Sequence, residues 1–424
     1  MKFYCGPTTT LRNLPRGVIP IALYDQPSRI GMGSAGTGIV ERCRKLGLVS
    51  NDRAWDFLSI AISAVTADAG LTRGTSADGW TRELELTVAV TDPAFWGQQT
   101  ATVNSLLRFL TGDIWHVDFT TGGFIPAPPA RPVARPEDAV TLLSGGLDSL
   151  IGTLDRTTEG ERLVVVSQVS AGDKAEQSSL AQNIGGGLFH LQLNHNARPP
   201  NAEDRSQRGR SIAFIAFGVL AATALDRYQA DETITLYIPE NGFISLNVPL
   251  TPARLGSLST RTTHPNYLRQ VQSLLYKAGL RVRLSNPYQF KTKGEMMSEC
   301  RDQAFLRRHA AGTTSCGRFA RNGFQHCGRC LPCLIRRASF QRWGQRDNTE
   351  YKYENLSIRN STRKNFIDVR AAGIAVERVR QHGLERWLGG ALNTAQLGDI
   401  TSFKDVARRG LDELGGFLAT ARAL

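Results

Sequence analysis

The sequence predicts an α/β protein built on a doubly wound parallel sheet, with an added α+β domain before it and a zinc-bound part after it. Three observations lead to this prediction. Short apolar runs alternate with helical patterns from Ala139 onward, a glycine-rich turn follows the first run, and four cysteines cluster near residue 330. Strands that alternate with helices form parallel sheets, because each crossover returns the chain to the same edge.

The central domain is predicted over residues 136–345. Ala139–Leu143 is its first strand, and Leu163–Val169 is a continuous apolar run typical of a strand buried on both faces. The other predicted strands are Gly187–Leu193, Thr233–Ile238 and Arg281–Leu284, and the predicted helices are Gln177–Ile184, Arg210–Tyr228, Leu268–Ala278 and Lys293–Arg308. Ligands of such sheets bind outside the carboxyl ends of the strands.

The glycine-rich turn Ser144–Ser149 reads Ser-Gly-Gly-Leu-Asp-Ser and lies between the first strand and a helix. Backbone N–H groups and the helix dipole favour an anion there. Gly145 and Gly146 let the main chain approach a phosphate, and the hydroxyls of Ser144 and Ser149 add donors. Asp148 would orient the loop or hold a magnesium ion. The predicted phosphate-binding residues are Ser144, Gly145, Gly146, Leu147, Asp148 and Ser149.

The chain contains no G-x-x-x-x-G-K-[ST] segment, so this loop is not a Walker A motif. A lysine-free Ser-Gly-Gly-x-Asp-Ser loop resembles the pyrophosphate loop of enzymes that split ATP between the α and β phosphates. Those enzymes adenylate a substrate oxygen and release pyrophosphate. The alternative is a glycine-rich turn without a ligand.

The second motif consists of Cys316, Cys327, Cys330 and Cys333, with gaps of ten, two and two residues. Four thiolates at this spacing predict one tetrahedral, structural zinc site with no open position for water. Disulfides or unrelated thiols are the alternatives, and His326 could replace one cysteine. The other cysteines, Cys5, Cys43 and Cys300, are scattered and are predicted to be buried.

The 424 residues favour two or three domains, and the net charge of +13 favours anionic partners such as ATP, nucleic acid or an acidic protein surface. Basic residues form local clusters, at Arg205–Arg210, Arg318–Arg337 and Arg370–Arg380, but the sequence has no long basic tail and no interleaved aromatic stacking platform, so nucleic acid is not indicated. No apolar stretch is long enough to span a bilayer, and residues 1–6 do not resemble a secretory signal. We therefore expect a cytoplasmic protein that does not contact a membrane.

Residues 1–135 are predicted to form a separate α+β domain, from strands at Arg82–Val90 and Ile114–Phe119 around a helix at Trp96–Leu110. Its Gly31–Gly36 segment fits G-x-G-x-x-G but follows a strand that ends too early, so a flexible loop is predicted instead of a dinucleotide site. The proline-rich segment 126–136 is the predicted linker. Residues 346–424 are predicted to be a helical extension without chemistry of their own.

The loop, the segment Lys291–Met296 and the cysteine array together resemble the 7-cyano-7-deazaguanine synthase (QueC-like) family. The segment Thr313–Phe340 resembles that family's C-terminal signature, and the likeness extends over residues 139 to about 341. It implies an adenine nucleotide α-hydrolase-like pyrophosphate-loop fold and an AMP-forming C–N ligase. A 7-carboxy-7-deazaguanine carboxylate would be adenylated, and an amine would then displace AMP. Magnesium would accompany ATP, and zinc would be structural.

Residue chemistry suggests further roles in such a reaction. Gln168, with Val169 and Ser170, ends the second strand where adenine could bind, and Arg208 and Arg210 could meet a phosphate or carboxylate. Glu240, Asn241 and Gly242 follow the fourth strand, where a carboxylate could pair with the N–H edge of a guanine-like base. Lys291 and Lys293 could neutralise pyrophosphate. Asp148, Ser149, Lys291 and Lys293 are the predicted catalytic residues, although surface charges, or a plain helix start at Thr292 and Glu295, remain alternatives.

The chain departs from the housekeeping members of that family, which are short and lack residues 1–135 and the tail after 345. Residues 245–265 also depart from the family pattern. In both respects the chain resembles long, QatC-like members of antiphage defence operons, which implies transfer to the amino terminus of a partner protein, with the N-terminal domain as a docking site. Ammonia as the amine, a tRNA-modifying adenylase, and a non-catalytic zinc- and nucleotide-binding module are the alternatives.

Overall fold

The computed structural model describes residues 1–170, 172–201, 208–250, 261–359, 366–393 and 398–423. Within these ranges the chain forms two five-stranded sheets in which every pairing is parallel, which confirms the α/β class. The strands are β1 Lys2–Gly6, β2 Val18–Leu23, β3 Gly33–Ala35, β4 Glu83–Ala89, β5 Ile114–Thr120, β6 Ala139–Leu142, β7 Leu163–Gln168, β8 Phe189–Leu193, β9 Ile234–Tyr237 and β10 Val282–Ser285.

The helices lie between and after these strands. They are α1 Ile39–Lys45, α2 Asp52–Ala69, α3 Pro93–Gln98, α4 Thr100–Thr111, α5 Leu147–Thr158, α6 Lys174–Asn183, α7 Arg210–Ala222, α8 Asp226–Gln229, α9 Gly242–Ser245, α10 Pro265–Lys277, α11 Lys293–Glu299, α12 Gln303–His309, α13 Leu331–Trp343, α14 Ile367–His382, α15 Leu384–Asn393 and α16 Ile400–Thr420.

The first sheet has the order β3-β2-β1-β4-β5 and is entirely parallel. The expectation of an α+β domain at residues 1–135 is therefore wrong. Sequence analysis missed β1 and β3 because they have five and three residues, too few to show a periodic pattern.

The G-x-G-x-x-G segment contains β3, so the flexible loop predicted there is also wrong. Ser34 exchanges backbone hydrogen bonds with Arg198, at N···O distances of 2.9 and 2.8 Å. A Cβ atom at Gly33 would lie 2.7 Å from the Arg198 carbonyl oxygen, so this close approach requires glycine. The segment is a strand edge and not a strand-to-helix turn, in agreement with the rejection of a dinucleotide site.

The second sheet has the order β10-β9-β6-β7-β8, and its five strands lie where the sequence predicts them. All six residues of β7 are buried, as expected for a central parallel strand. If the strands of each sheet are numbered 1 to 5 in chain order, the first sheet has the order 3-2-1-4-5 from β3 to β5. The second sheet has the same order, 3-2-1-4-5, from β8 to β10.

Three predicted helices are interrupted. The helix predicted over Trp96–Leu110 falls across α3 and α4, which Gln99 separates. The helix predicted over Arg210–Tyr228 breaks between α7 and α8 because Leu225 is extended. The helix predicted over Lys293–Arg308 breaks at the extended Cys300, and the Asp302 side chain then caps α12 by accepting from Phe305 N.

The two sheets share one hydrophobic core. Helix α2 of the first sheet lies against α7 of the second, and one continuous set of buried side chains includes residues of both helices. Two hydrogen bonds at the helix ends also connect the halves, each between a hydroxyl group and a backbone group. Ser50 Oγ donates to Leu220 O at 2.9 Å, and Asn51 N donates to Thr223 Oγ1 at 3.2 Å. The predicted boundary at residue 135 therefore separates two sheets but not two cores.

The C-terminal region is helical, as predicted, and packs against the second half. Helix α16 lies against α13 and α9, in a second core that includes Phe243, Leu334 and Phe403. Among the helices that the structure describes, none combines the length and apolar character that a bilayer span requires.

Candidate functional site

The Ser144–Ser149 loop connects β6 to α5 and is held in shape by its own hydroxyl groups. Ser144 N donates to Ser149 Oγ at 3.1 Å, and Gly146 N donates to Ser144 Oγ at 3.2 Å. Gly145 has a φ of +87°, a conformation that favours glycine. Among the described residues no side chain caps α5, so its first N–H groups are available to an anion.

A cleft of about 370 Å³ opens beside this loop. It lies at the carboxyl ends of β6, β7 and β9, where the strand order of the second sheet reverses, as predicted for a ligand site. The lining residues include six predicted site residues: Ser144, Gly146, Ser149, Gln168, Arg210 and Glu240. Leu147 is buried in the core and offers only its backbone to the loop.

Gln168 and Arg210 form one polar wall of the cleft. In the amide orientation that satisfies all partners, the Gln168 side chain accepts from Arg210 Nε at 3.2 Å and from His195 Nε2 at 3.3 Å. His195 Nδ1 accepts from Ala197 N at 3.0 Å, which leaves the proton on Nε2. Burial, together with the charge of Arg210, lowers the pKa of His195 to about 4 and keeps its ring neutral.

Asp148 lies behind the loop in a buried polar cluster. Its carboxylate pairs with the ammonium group of Lys293 and accepts from Asn241 Nδ2 at 2.7 Å and Asn241 N at 3.1 Å. Of the two roles expected for Asp148, this geometry favours orienting the loop, because Lys293 and Asn241 occupy its oxygens. Lys293 is 6 % exposed and Asp148 is 7 % exposed at their side chains, so the pair is shielded from solvent.

Glu240 connects this cluster to the cleft. Burial opposes the charge of Asp148, but the Lys293 ammonium and hydrogen bonds from Glu240 and Asn241 hold the Asp148 pKa well below its usual value. Burial and the neighbouring Asp148 charge raise the pKa of Glu240 well above its usual value. Glu240 therefore carries the proton of the pair and donates it to Asp148.

Lys291 and Arg208 lie away from both the cleft and the cluster around Asp148. The ammonium of Lys291 pairs with Glu299 in a separate surface groove beside Tyr288. Arg208 donates to Thr111 O at 3.1 Å and packs against Trp80, at the junction with the first sheet. The catalytic expectation for Lys291 and the substrate expectation for Arg208 are not supported by these positions.

Asn241 and Gly242 are buried and have structural partners. The Asn241 side chain accepts from Ile244 N at 2.9 Å and so caps α9. A Cβ atom at Gly242 would lie only 2.1 Å from the Gln289 carbonyl oxygen, so glycine is required by packing. Of the three residues expected to contact a substrate after β9, only Glu240 lines the cleft. Residues 251–260, within the segment that departs from the family pattern, lie outside the described residues.

The four predicted zinc ligands converge. Their sulfur atoms lie within 4.8 Å of one another, with Cys316 to Cys330 at 3.8 Å and Cys327 to Cys333 at 3.9 Å. A tetrahedral zinc–thiolate centre with bonds of about 2.3 Å separates its sulfur atoms by about 3.8 Å. The cluster can therefore hold a metal such as zinc. His326 is not a ligand, because its Nε2 accepts from Ser315 N at 3.1 Å.

Arg336 and Thr314 link the cysteine cluster to the loop, and sequence analysis assigned neither of them a role. Arg336 is fully buried on α13, three residues after Cys333, and donates to Thr313 O at 3.1 Å and Ser315 Oγ at 3.0 Å. Thr314 N in turn donates to Gly145 O at 2.9 Å, and Thr314 lines the cleft. Their only sequence signal was their position beside the cysteines.

Comparisons with protein-family models, curated proteins and solved structures find no match for this chain. The site is therefore interpreted from its own geometry and from the motif resemblance.

Proposed function

We propose that the protein is a cytoplasmic, ATP-dependent and AMP-forming C–N ligase of the QueC-like type. It adenylates the carboxylate of a 7-carboxy-7-deazaguanine-like molecule and transfers the acyl group to an amine, the amino terminus of a partner protein in an antiphage defence system. The observation that carries this proposal is the lysine-free loop beside the open cleft of a doubly wound sheet, at the start of a helix whose first N–H groups have no side-chain cap among the described residues.

The first step is nucleophilic attack on ATP. A carboxylate oxygen bonds to the α-phosphorus, the bond from that phosphorus to the bridging oxygen breaks, and pyrophosphate leaves. The loop at Ser144–Ser149 would hold the departing phosphates by its N–H groups and hydroxyls, and Arg210 would neutralise their charge. Asp148 and Lys293 lie behind the loop and would act as positioning residues.

The second step is aminolysis. The amine nitrogen attacks the carbonyl carbon of the acyl-adenylate, the bond from that carbon to AMP breaks, and the amine loses one proton. Glu240 lines the cleft in its protonated form and gives its one proton to Asp148, so it would offer the substrate only acceptor oxygens and not the ionised carboxylate that base pairing with guanine requires.

Magnesium fits this cleft at a different residue from the one the sequence suggests. Asp148 is occupied by Lys293 and Asn241, whereas Asp173 lines the cleft beside Gly145 and keeps one buried oxygen without a partner among the described residues. One carboxylate and the phosphates suffice to bind Mg²⁺, which would stabilise charge on the phosphoryl oxygens. Zinc at the four cysteines would have a structural role.

Pyrophosphate release tests the proposal directly. Purified protein with ATP and 7-carboxy-7-deazaguanine should release pyrophosphate, and adding the protein encoded beside it should give a partner whose mass increases by the acyl group. Release that requires tRNA, or a free nitrile formed with ammonia, would replace the protein acceptor by one of the two enzyme alternatives. Nucleotide binding without any pyrophosphate would leave only the binding module.

A further inference from the structure

We propose that the first sheet supports the cleft from outside and holds Arg210 and the segment Thr262–Thr263 in position. This inference rests on the proposed function only for the identity of the ligand. It gives residues 1–135 a role in forming the site that does not require partner docking. Three separate contacts between the sheets carry it, and each one holds a chain segment next to a residue that lines the cleft.

The first contact lies at the end of β8. Edge strand β3 pairs with Arg198 through Ser34, and Gly36 N donates to His195 O at 2.6 Å. His195 in turn contacts the Gln168 amide that holds Arg210 Nε. The G-x-G-x-x-G glycines therefore fix the backbone of His195 from outside the cleft.

The second contact lies directly before Arg210. Gly209 N donates to Asp68 Oδ2 at 3.2 Å, and Arg208 donates to the last carbonyl of α4 at Thr111. Asp68 pairs with the fully buried Arg82, which also holds Asp113 at 2.7 Å. A buried ionic cluster of this kind stabilises little in itself, but its directed hydrogen bonds define one geometry.

The third contact brackets the two threonines that line the cleft. Arg261 Nη1 donates to Phe109 O at 3.4 Å, and its guanidinium lies 4.9 Å above the Phe109 ring. The His264 ring packs against the same phenylalanine, with centroids 5.1 Å apart. Thr262 and Thr263 lie between these two attachments and face the cleft.

Two variants disturb these contacts without touching a cleft residue. Gly33→Ala places a Cβ atom 2.7 Å from Arg198 O and so displaces the segment that carries His195. Arg261→Met removes the guanidinium but keeps most of the side-chain volume. The matched controls are Gly97→Ala, where no atom lies within 4 Å of the added carbon, and Arg108→Met, which removes an exposed charge next to Phe109.

Hydrogen exchange of the nucleotide-free protein and calorimetric binding of ATP are the two measurements. In each test variant we expect faster exchange over at least one of the segments 192–198, 208–214 and 261–268. We also expect ATP to bind about tenfold more weakly, which is the effect of losing one charge-assisted contact. Zinc content should stay at the wild-type level, and the controls should match wild type in both measurements.

Unchanged exchange and unchanged ATP affinity in both test variants would overturn the inference, as would equal effects in the controls. Failure of the proposed function gives a different pattern. In that case wild-type protein releases no pyrophosphate with any carboxylate, while the exchange rates of the cleft segments still respond to Gly33→Ala and Arg261→Met.

Discussion

Lys293 stabilises the site through its charge, because its ammonium is the cation paired with the buried Asp148 carboxylate. Removal of one partner of a buried pair leaves the other charge without compensation, which costs more than the pair contributes. Lys291 is two residues away, and its side chain, 39 % exposed, pairs with Glu299 in solvent. Exposed pairs of this type contribute little.

The two lysines therefore give a matched test of the site. Lys293→Met should lower the free energy of unfolding by about 3 kcal/mol and abolish pyrophosphate release, because the Asp148 charge loses its partner. Lys291→Met should leave the free energy of unfolding and the rate of pyrophosphate release at the wild-type values within error. Urea unfolding and a pyrophosphate assay measure the two effects. Equal losses in the two variants would contradict the positions assigned to them.

Asp148→Asn tests the separation of the loop from the metal site. The amide keeps the size of the side chain but leaves the Lys293 ammonium without its anion, so adenylation should be lost. The cysteine cluster has no contact with Asp148 among those described, and zinc content should remain one ion per chain. Zinc analysis and pyrophosphate release on the same sample decide the matter, and joint loss of both would show that the two sites are coupled.

Glu240→Gln separates a protonated role of Glu240 from an ionised one. Glutamine imitates the neutral carboxyl, so we expect activity to stay within about tenfold of wild type, whereas Glu240→Ala should lose most of it because the donor to Asp148 disappears. Rates at saturating ATP and carboxylate measure this. A glutamine variant as inactive as the alanine variant would mean that the substrate needs an ionised Glu240.

Sequence alone predicts the loop and the four thiolates because each is a motif with recognisable spacing within a short segment of the chain. It does not separate Arg210 from Arg208, or Lys293 from Lys291. In each pair the two residues are two positions apart at the start of a helix, and their side chains point in different directions. Which residue of each pair lies at the site depends on packing against distant segments, at Thr111 and Glu299.

Helix α16 shows what the C-terminal extension contributes. Arg409 donates to Glu295 Oε1 at 2.6 Å and to Phe290 O at 2.7 Å, and Glu413 accepts from the hydroxyl of Thr292. Thr292 and Glu295 form the capping box of α11, the helix that begins with Lys293. Through these contacts the extension holds the helix that positions Lys293.

Glu413 should make the stability of this contact depend on pH. Burial, together with the charge of Glu295, raises the pKa of Glu413 to about 7 from an ordinary 4.5. Between these values the unfolded chain has lost a proton that the folded protein keeps, so stability falls as pH rises. Glu413→Gln cannot ionise, and it should gain at most about 3 kcal/mol over wild type at pH of about 8, with little gain near pH 5.

Thermal unfolding of both proteins over that pH range measures the effect. The cation next to Glu413 is Arg342, and the cation next to Glu295 is Arg409. If the difference in melting temperature between wild type and variant did not change with pH, the raised pKa of Glu413 would be contradicted.

Removal of the metal should disturb the loop through α13. Cys330 precedes this helix and Cys333 lies in its first turn, so loss of the ion frees the end that carries Arg336 toward Thr313 and Ser315. We expect Cys330→Ser to bind no zinc and to expose the remaining thiols to alkylation, while Cys300→Ser keeps one zinc per chain. Elemental analysis and thiol counting would reject this if zinc survived in the Cys330 variant.

At the scale of the whole molecule, the two sheets have the same strand order but differ at the point where that order reverses. In the first sheet the reversal point between β1 and β4 is filled by the chain after β5, where a Cβ atom at Gly123 would lie 2.2 Å from the Val90 carbonyl carbon. In the second sheet the same point is open and forms the cleft. The sequence predicts all five strands of the open half, whereas in the other half it predicts β4 and β5 but misses β1 and the edge strand β3, which is Gly-Ser-Ala.

Because the sheets share one core, the protein should unfold as a single unit. Helix α7 is buried on nearly every side, and part of that surface is covered by α2 of the first sheet. Deletion of residues 1–135 would expose this apolar surface, so residues 136–424 alone should aggregate or bind nucleotide poorly.

Tryptophan fluorescence can follow the unfolding of each half separately. Four of the six tryptophans precede residue 136, whereas Trp343 and Trp387 follow it, so variants that keep one set or the other report on one half each. Urea transitions from the two sets should coincide with each other and with far-ultraviolet circular dichroism. Two separate midpoints would contradict the common core. A soluble fragment 136–424 that binds ATP as tightly as the whole chain would contradict the support that the first sheet gives to the cleft.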